Sequence, residues 1–585
     1  GLVQIPARWP ATFSKRRIMS ELLRRPRQRR RALSAAGCVA AIALVLSACG
    51  GGGGNNGGAN NAEGDGGEAA ELTCAQEATA DGQFKAAEPT ELGILWTDWP
   101  EMPVKDSWEL FDEIEARTNV KLVPTHVPFS DRVEKQSLLI SAGDAPPLIP
   151  LIYTGDEKQF AASQAVLPLS DYSDYMPNFN KYVDEWDLRE MLNNLRQEDG
   201  KYYMTPGLQE VSVPMFSLII RKDIFDEVGA QVPQTWDELR TALEKIKAAY
   251  PDSYPLGDGF EGAAMLNYAA HGFGTVAGWG FGNGTFQNPE TGEFEYAATS
   301  EGYKEMVEFF AGLAADGLLD IESFTQSNDG AGTVKEKVAN SQIFVASGAP
   351  GTVNEFKIAA AAVPGAEGAE FIQIAPPGGP AGNVVEPRGF WNGFMLTSQV
   401  KDDPNLCTYL QFADWLYYNP EAREMLQWGV DGETYTRTDD GVFTLLPEFK
   451  LEAQNLNMDT GTIDIGKDLG WANNVLAGST ESRELKESYN TPEFVEYMDS
   501  VLADRQPRDP FSPAPLNEME LEQASLISTA LKDSVDTATL QFIVGQRDLS
   551  EWDAYVAELE GQNLQTYLDL INGAADRYAE AVSKS

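Results

Sequence analysis

The sequence predicts an α/β fold, a mostly parallel sheet with helices on both faces. Three observations carry this. From Glu91 onward, short apolar runs alternate with amphipathic helical stretches. The composition, 43% hydrophobic and 10% aromatic, is that of a packed chain rather than a disordered one. The 585 residues suffice for two or three cores, and no repeat of solenoid period runs through them.

The elements follow in order. Leu92 to Trp96 reads as a strand, and residues 107–117 as a helix with Trp108, Leu110, Phe111 and Ile114 on one stripe. Residues 120–127 form a second strand, 131–141 a second helix and 148–153 a third strand. The apolar run 211–221 is long enough to cross between domains. Thr235 is a good N-cap with Glu238 three residues on, the pattern of a capping box, and Asp223 is a similar cap. Further helices are expected near 300–315, 404–418, 516–545 and 549–578. The glycine-rich stretch 272–284 reads as a loop. Pro376-Pro377-Gly378-Gly379-Pro380 breaks two strand-like runs and fits a second crossing.

Charge narrows the function classes. The net charge of -45 argues against binding nucleic acid or docking electrostatically on anionic lipid. Two histidines, His126 and His271, leave little room for histidine-rich metal sites. No Gly-x-Ser-x-Gly elbow, His-Glu-x-x-His or Walker A loop occurs, and no motif calls for a cofactor. Asn455 to Gly461 is a polar loop that only loosely follows a calcium-loop pattern: its glycine is one place late and position twelve lacks Glu. Acidic pairs for glycoside hydrolysis abound, so a secreted carbohydrate-active enzyme stays open as an alternative.

The N-terminus carries an address. Residues 1–48 hold ten Lys/Arg and one acid, Glu21. The basic cluster from Arg24 to Arg31 precedes a short apolar run from Val39 to Leu46, a charged region and a hydrophobic region too short for a stop-transfer helix. Residues 1–48 are therefore expected to be a signal peptide, with 1–18 an upstream mis-start before Met19. General and twin-arginine export both fit the Arg29-Arg30-Arg31 stretch. The run ends in Leu46-Ser47-Ala48-Cys49-Gly50, which closely resembles the lipobox of bacterial lipoproteins. By that resemblance Cys49 takes a diacylglycerol, and the chain is anchored on the outer face of the cell membrane. The Gly/Asn-rich segment within 49–85 is a tether that cannot bury a core. Cys74 and Cys407 are then available to pair in an oxidising exterior.

Motifs spread from about residue 90 to the C-terminus resemble those of the extracellular solute-binding proteins of ABC importers, in the large lipoprotein branch associated with saccharides. They include Ser141-Ala142-Gly143-Asp144-Ala145-Pro146, Ile220-Arg221-Lys222-Asp223, Val232-Pro233-Gln234-Thr235-Trp236-Asp237-Glu238-Leu239, Asn419-Pro420-Glu421-Ala422-Arg423 and Trp428-Gly429-Val430-Asp431-Gly432-Glu433-Thr434-Tyr435. Two positions depart from the pattern: Pro147 replaces a customary Asp, and Gly348-Ala349-Pro350 lacks an aromatic. The resemblance implies a two-lobed periplasmic-binding-protein-like fold (type II) with a hinge between discontinuous lobes. Lobe 1 would span 86–215 plus 383–428 and lobe 2 216–382 plus 429–585. It further implies a monomer that captures a saccharide, an oligosaccharide by the branch, and delivers it to permease subunits by hinge closure. Feeding a sensor, or taking up peptides, remains an alternative.

A sugar calls for flat aromatic rings against its C–H faces and planar polar groups for its hydroxyls. Candidates at strand ends and crossings are Trp96, Asp98, Trp99, Tyr153, Arg221, Trp279, Trp391, Asn392, Trp428 and Tyr435. Trp236, directly after its cap, is assigned to packing.

Overall fold

The computed structural model describes residue 72, residues 78–79, 82–278, 284–325, 332–438 and 441–584. The expected signal segment, Cys49, Cys74 and Trp279 lie outside the described residues. Cys407 is disulfide-bonded. Thr73–Ser585 forms one unit, in which the described residues build two larger sheets and four two-stranded ones.

The first sheet has five strands. Thr90–Asp98 pairs in parallel with Val120–Pro128 along its whole length, from Thr90 opposite Val120 to Asp98 opposite Pro128. Leu148–Ile152 joins it in parallel on the other side. Trp391–Leu396 then enters antiparallel from far along the chain, and Thr205–Gly207 closes the edge. Gly393 is required at the bulge in this return strand: a Cβ there would meet the Thr205 carbonyl oxygen at 1.8 Å. Helix Glu109–Thr118 buries Leu110 and Ile114 on the sheet, and Asn119 in the left-handed region ends it.

The second sheet corrects the expectation of mostly parallel strands. Ser217–Arg221 is flanked antiparallel by Val345–Gly348 and by Phe371–Gln373, and only Leu256–Gly257 runs parallel to its neighbour. The reason is topological, because the chain enters this sheet by one crossing and leaves by another, so Ser217–Arg221 and Phe371–Gln373 run in opposite directions. Helix Trp236–Ala249 packs against this sheet through Trp236, Leu239, Leu243 and Ile246. Thr235 caps it, accepting from the Glu238 N–H at 3.2 Å, while Glu238 reaches back to the Gln234 N–H at 2.7 Å. Asp223 does not cap its helix. Arg221 holds the N-cap position, and the Asp223 carboxylate is turned onto its guanidinium.

Three crossings join the sheets, at about 208–216, 374–390 and 490. The third lies well beyond the change of lobe expected after residue 428, so it divides the range 429–585. Residues 430–489 stay with the first sheet: Trp108 Nε1 donates to Lys467 O at 3.1 Å, the Leu208 N–H to Thr480 Oγ1 at 3.1 Å, and Gln209 Nε2 to Ser479 O at 2.8 Å. Trp428 holds the chain there by stacking on Phe443 of the following hairpin, centroids 5.3 Å apart. Helix Glu518–Ile543 and the last two helices, Trp552–Glu560 and Leu564–Lys584, join the core of the second sheet.

Helix Pro492–Asp504 ties the crossings together. Phe494, Tyr497, Met498 and Val501 cluster with Ala375 and Val213. Tyr497 donates to Pro214 O at 2.7 Å and Arg505 Nε to Pro376 O at 2.7 Å. Val384–Val385 pairs in parallel with Gln506–Pro507. These short, mixed contacts leave two rigid sheets joined by a narrow waist, the arrangement from which hinge closure is built.

Candidate functional site

The first and second crossings each start or end beside a group of aromatic and polar side chains. On the first sheet, Gly393 pairs with Ile152, so Tyr153 lies beside Trp391 and Asn392. The Tyr153 ring stands edge-on to the Trp391 ring at 5.7 Å and 87°. Both rings are half-buried. Burial pushes the Tyr153 phenol up to about 12, against a hydrogen bond from the Asn392 side chain and the nearby Arg132. Asn392 is buried, its Nδ2 donates to Gly478 O at 3.0 Å, and its Oδ1 has no protein partner. An aromatic corner with an unsatisfied amide oxygen beside it suits a polyol with one apolar face.

A second group lies at the other ends of these crossings, by the second sheet. The first crossing ends in Phe216, whose ring meets that of Phe260 edge-on at 5.2 Å. Phe260 follows Asp258, a fully buried carboxyl that accepts from the Phe260 and Met265 N–H groups at 3.3 Å and fixes the loop. Burial holds Asp258 up at about 6. Glu386, on the second crossing, is crowded by protein yet keeps some solvent access. Burial pushes its carboxyl up to about 7, moderated by a hydrogen bond with the Asn267 side chain. No ion pair reaches it among the described residues.

The raised Glu386 carboxyl has a measurable sign. The folded state keeps a proton that the unfolded chain releases, so stability is fully present at low pH. It is lost as pH rises from about 4.5 through about 7. Glu386→Gln is expected to raise the melting temperature at pH 8 and leave it nearly unchanged at pH 5. Equal shifts at both pH values in a thermal melt would refute the assignment.

The other expected residues divide. Asp98 and Trp99 end the adjacent strand, but their own lobe engages them. Asp98 accepts from Val104 N–H at 3.2 Å and meets His126 Nδ1 at 3.0 Å, and Trp99 stacks on Phe129 at 3.8 Å. Four candidates are corrected to packing. Trp96 is 1% exposed and wedged against Trp108 and Phe111, because alternation along the strand turns it inward. Arg221 is buried and spent on a two-pronged pair with Asp223, at 2.9 and 2.7 Å, over the Phe371 ring. Trp428 is buried and donates to Ser488 Oγ at 2.9 Å. Tyr435 is buried and donates to Glu424. Sequence reasoning missed Phe216, Phe260, Asn267 and Glu386. The expected crossing 211–221 already contained Phe216; nothing local marks Glu386.

Neither histidine has a catalytic partner set. His126 meets only Asp98. His271 is buried, with its Nδ1 unpaired, and burial followed by the Arg508 charge pushes it down to about 3. Asn455 and Asn457 adopt positive φ in a self-bonded polar loop, with Asn457 Nδ2 donating to Phe449 O at 2.5 Å. Among the described residues, no group of three or more His, Cys, Asp or Glu is placed to hold a metal ion. Nor is any described helix long and apolar enough to cross a membrane.

Known proteins with this architecture bind solutes. The fructooligosaccharide ABC transporter substrate-binding protein FusA of Streptococcus pneumoniae is 29% identical over 268 residues, 41% of this chain and 47% of that protein, so the alignment spans about half its length. The polygalacturonan/rhamnogalacturonan-binding protein YtcQ of Bacillus subtilis is 22% identical over 507 residues, 85% of this chain and 93% of the relative. The fold matches the HMO-binding, ABC-transporter-associated solute-binding protein of Bifidobacterium longum infantis, with a TM-score of 0.63 and 19% identity over 84% of this chain and 99% of that one. The family model for bacterial extracellular solute-binding proteins matches residues 109–434, more than half the chain, and the chain belongs to that family.

Proposed function

We propose that the chain is a saccharide receptor of an ABC importer, held on the outer face of the cell membrane by lipid on Cys49. The ligand, an oligosaccharide, lies in the crevice between the two sheets and is handed to the permease as the lobes close. The observation that carries this reading is the Tyr153–Trp391 corner with Asn392 Oδ1 unsatisfied beside it, next to the waist. The rings cover a pyranose face and the amide meets its hydroxyls. Phe216 and Phe260 on the second sheet's side and Glu386 on the second crossing supply the partner set, and a saccharide that bridges both sets shifts the population toward the closed state. The saccharide ligands named for the relatives support the same class.

The test is a thermal-shift screen against mono- and oligosaccharides, uronates and peptides, with the sugars assayed afterwards for cleavage. A ligand at about 100 times its dissociation constant stabilises by about 2.7 kcal/mol. An intact sugar that shifts the melt supports the receptor, and a consumed sugar supports an enzyme instead. Trp391→Ala is expected to weaken binding of that sugar by at least about tenfold, the loss of roughly 1.4 kcal/mol of ring contact. Unchanged affinity by titration calorimetry would remove Trp391 from the site.

A further inference from the structure

A cavity of about 440 Å³ opens in the first lobe. None of its lining residues comes from the second sheet or from the crossings, so it is distinct from the inter-lobe crevice. We propose that it is a second saccharide site, taking one neutral pyranose unit. It rests on its own lining rather than on the crevice reading.

One wall is aromatic. Tyr182 and Trp186, four apart at the end of helix Pro177–Glu185, lie ring to ring at 4.5 Å and 32°, both half-buried. Their position is fixed from behind. Arg388 donates through Nη1 and Nη2 to the Trp186 carbonyl, each at 3.2 Å. The Trp186 indole N–H has no protein partner among the described residues. A tilted, half-buried aromatic pair with an uncommitted donor at its edge suits the C–H face of a sugar ring.

The opposite wall is polar and held in place. Arg437 bridges Glu424, at 2.8 Å, and Glu484, and the Tyr435 phenol donates to Glu424. These carboxylates are planar acceptors with lone pairs to spare for hydroxyls. The lining also settles the charge of the guest. Glu421, Glu424, Asp431 and Glu484 all border the cavity. Arg437 is already paired, Arg117 is paired with Glu113 at 2.6 Å, and the buried Arg423 guanidinium is committed to backbone carbonyls. A uronate or phosphate would meet carboxylates without a free cation, so a neutral sugar is the matching ligand. The volume accommodates one sugar ring with its hydration, and the mixed lining offers too little apolar surface for a lipid chain.

The test uses the whole chain labelled with 5-fluorotryptophan, the Trp186 fluorine resonance being assigned with Trp186→Phe. The probes are the methyl glycosides of glucose, galactose and mannose, each to about 100 mM, a hundredfold excess over a 1 mM dissociation constant. At least one is expected to shift the Trp186 resonance saturably. That shift should persist in Trp391→Ala and weaken at least about tenfold in Tyr182→Ala. Silence at Trp186 for all three probes overturns the proposal. So does a shift abolished by Trp391→Ala, which would report the crevice instead. A Trp186 response without any Trp391 response would uphold this site and count against the crevice reading.

Discussion

Asp414→Ala is expected to destabilise the fold by about 4 kcal/mol. Asp414 sits on helix Leu406–Tyr418 and is 1% exposed. It caps a different helix. Its carboxylate accepts from the Asn178 N–H at 3.0 Å, the Phe179 N–H at 2.8 Å and Asn178 Nδ2 at 2.8 Å. Helix Pro177–Glu185 has no cap of its own, because Met176 stands at its N-cap. Alanine would orphan two buried backbone donors at roughly 1–3 kcal/mol each, while Asn178 Nδ2 loses one of its two bonds and keeps the one to Gly82 O at 2.9 Å. Burial pushes the carboxyl up to about 7 despite these donors, so a neutral acceptor is tolerated. Asp414→Asn should therefore cost about half as much. Urea unfolding of the three proteins reads this directly. A loss under about 1 kcal/mol for alanine would mean that water replaces the carboxylate.

Much of the fold was legible because its signals are local. The stripe of Leu110 and Ile114, the cap at Thr235 and the runs that became Thr90–Asp98 and Val120–Pro128 each follow from nearby residues. Strand direction in the second sheet was not legible. It depends on where the first two crossings enter and leave the sheet; the placing of residues 430–489 likewise rests on contacts such as Trp428 stacking on Phe443, which have no local signature. Asp414 shows the same limit, since a cap supplied from 236 residues away leaves the sequence around Met176 looking uncapped.

The candidate site divides along similar lines. Tyr153, Trp391 and Asn392 were readable as residues at the ends of apolar runs, where ligands meet α/β sheets. Trp96 and Arg221 carried the same signal and went inward. For Trp96 the alternation of the strand decides which face it takes, and a strand buried on both faces hides that alternation. For Arg221 the deciding partner is Asp223, two residues away, a pairing the sequence equally allows as a cap. Glu386 became notable only through crowding by the other elements at the waist.

Arg423→Met is expected to cost about 3–5 kcal/mol and to loosen one segment selectively. Arg423 is 3% exposed, and its guanidinium binds backbone rather than a carboxylate. Nε donates to Thr480 O at 2.9 Å, Nη1 to Leu476 O at 2.8 Å and Leu416 O at 3.3 Å, and Nη2 to Ala477 O. One side chain thus gathers residues 476–480 onto two helices, and this segment in turn holds Leu208 and Gln209 at the start of the first crossing. Burial pushes the guanidinium down to about 10, with Glu481 opposing, so it stays charged at neutral pH. Methionine fills the volume but leaves the carbonyls without their donor and removes a buried positive charge from near Glu481, which keeps Lys486 at 3.8 Å and the Tyr489 hydroxyl. Arg423→Lys keeps the charge and loses the fork, so it should recover less than half of the stability. Hydrogen exchange localises the effect. Amides of residues 476–481 should lose protection first, ahead of those in strand Thr90–Asp98. Uniform loss across the chain would instead mean that Arg423 supports the global core, and that the first crossing does not depend on its grip.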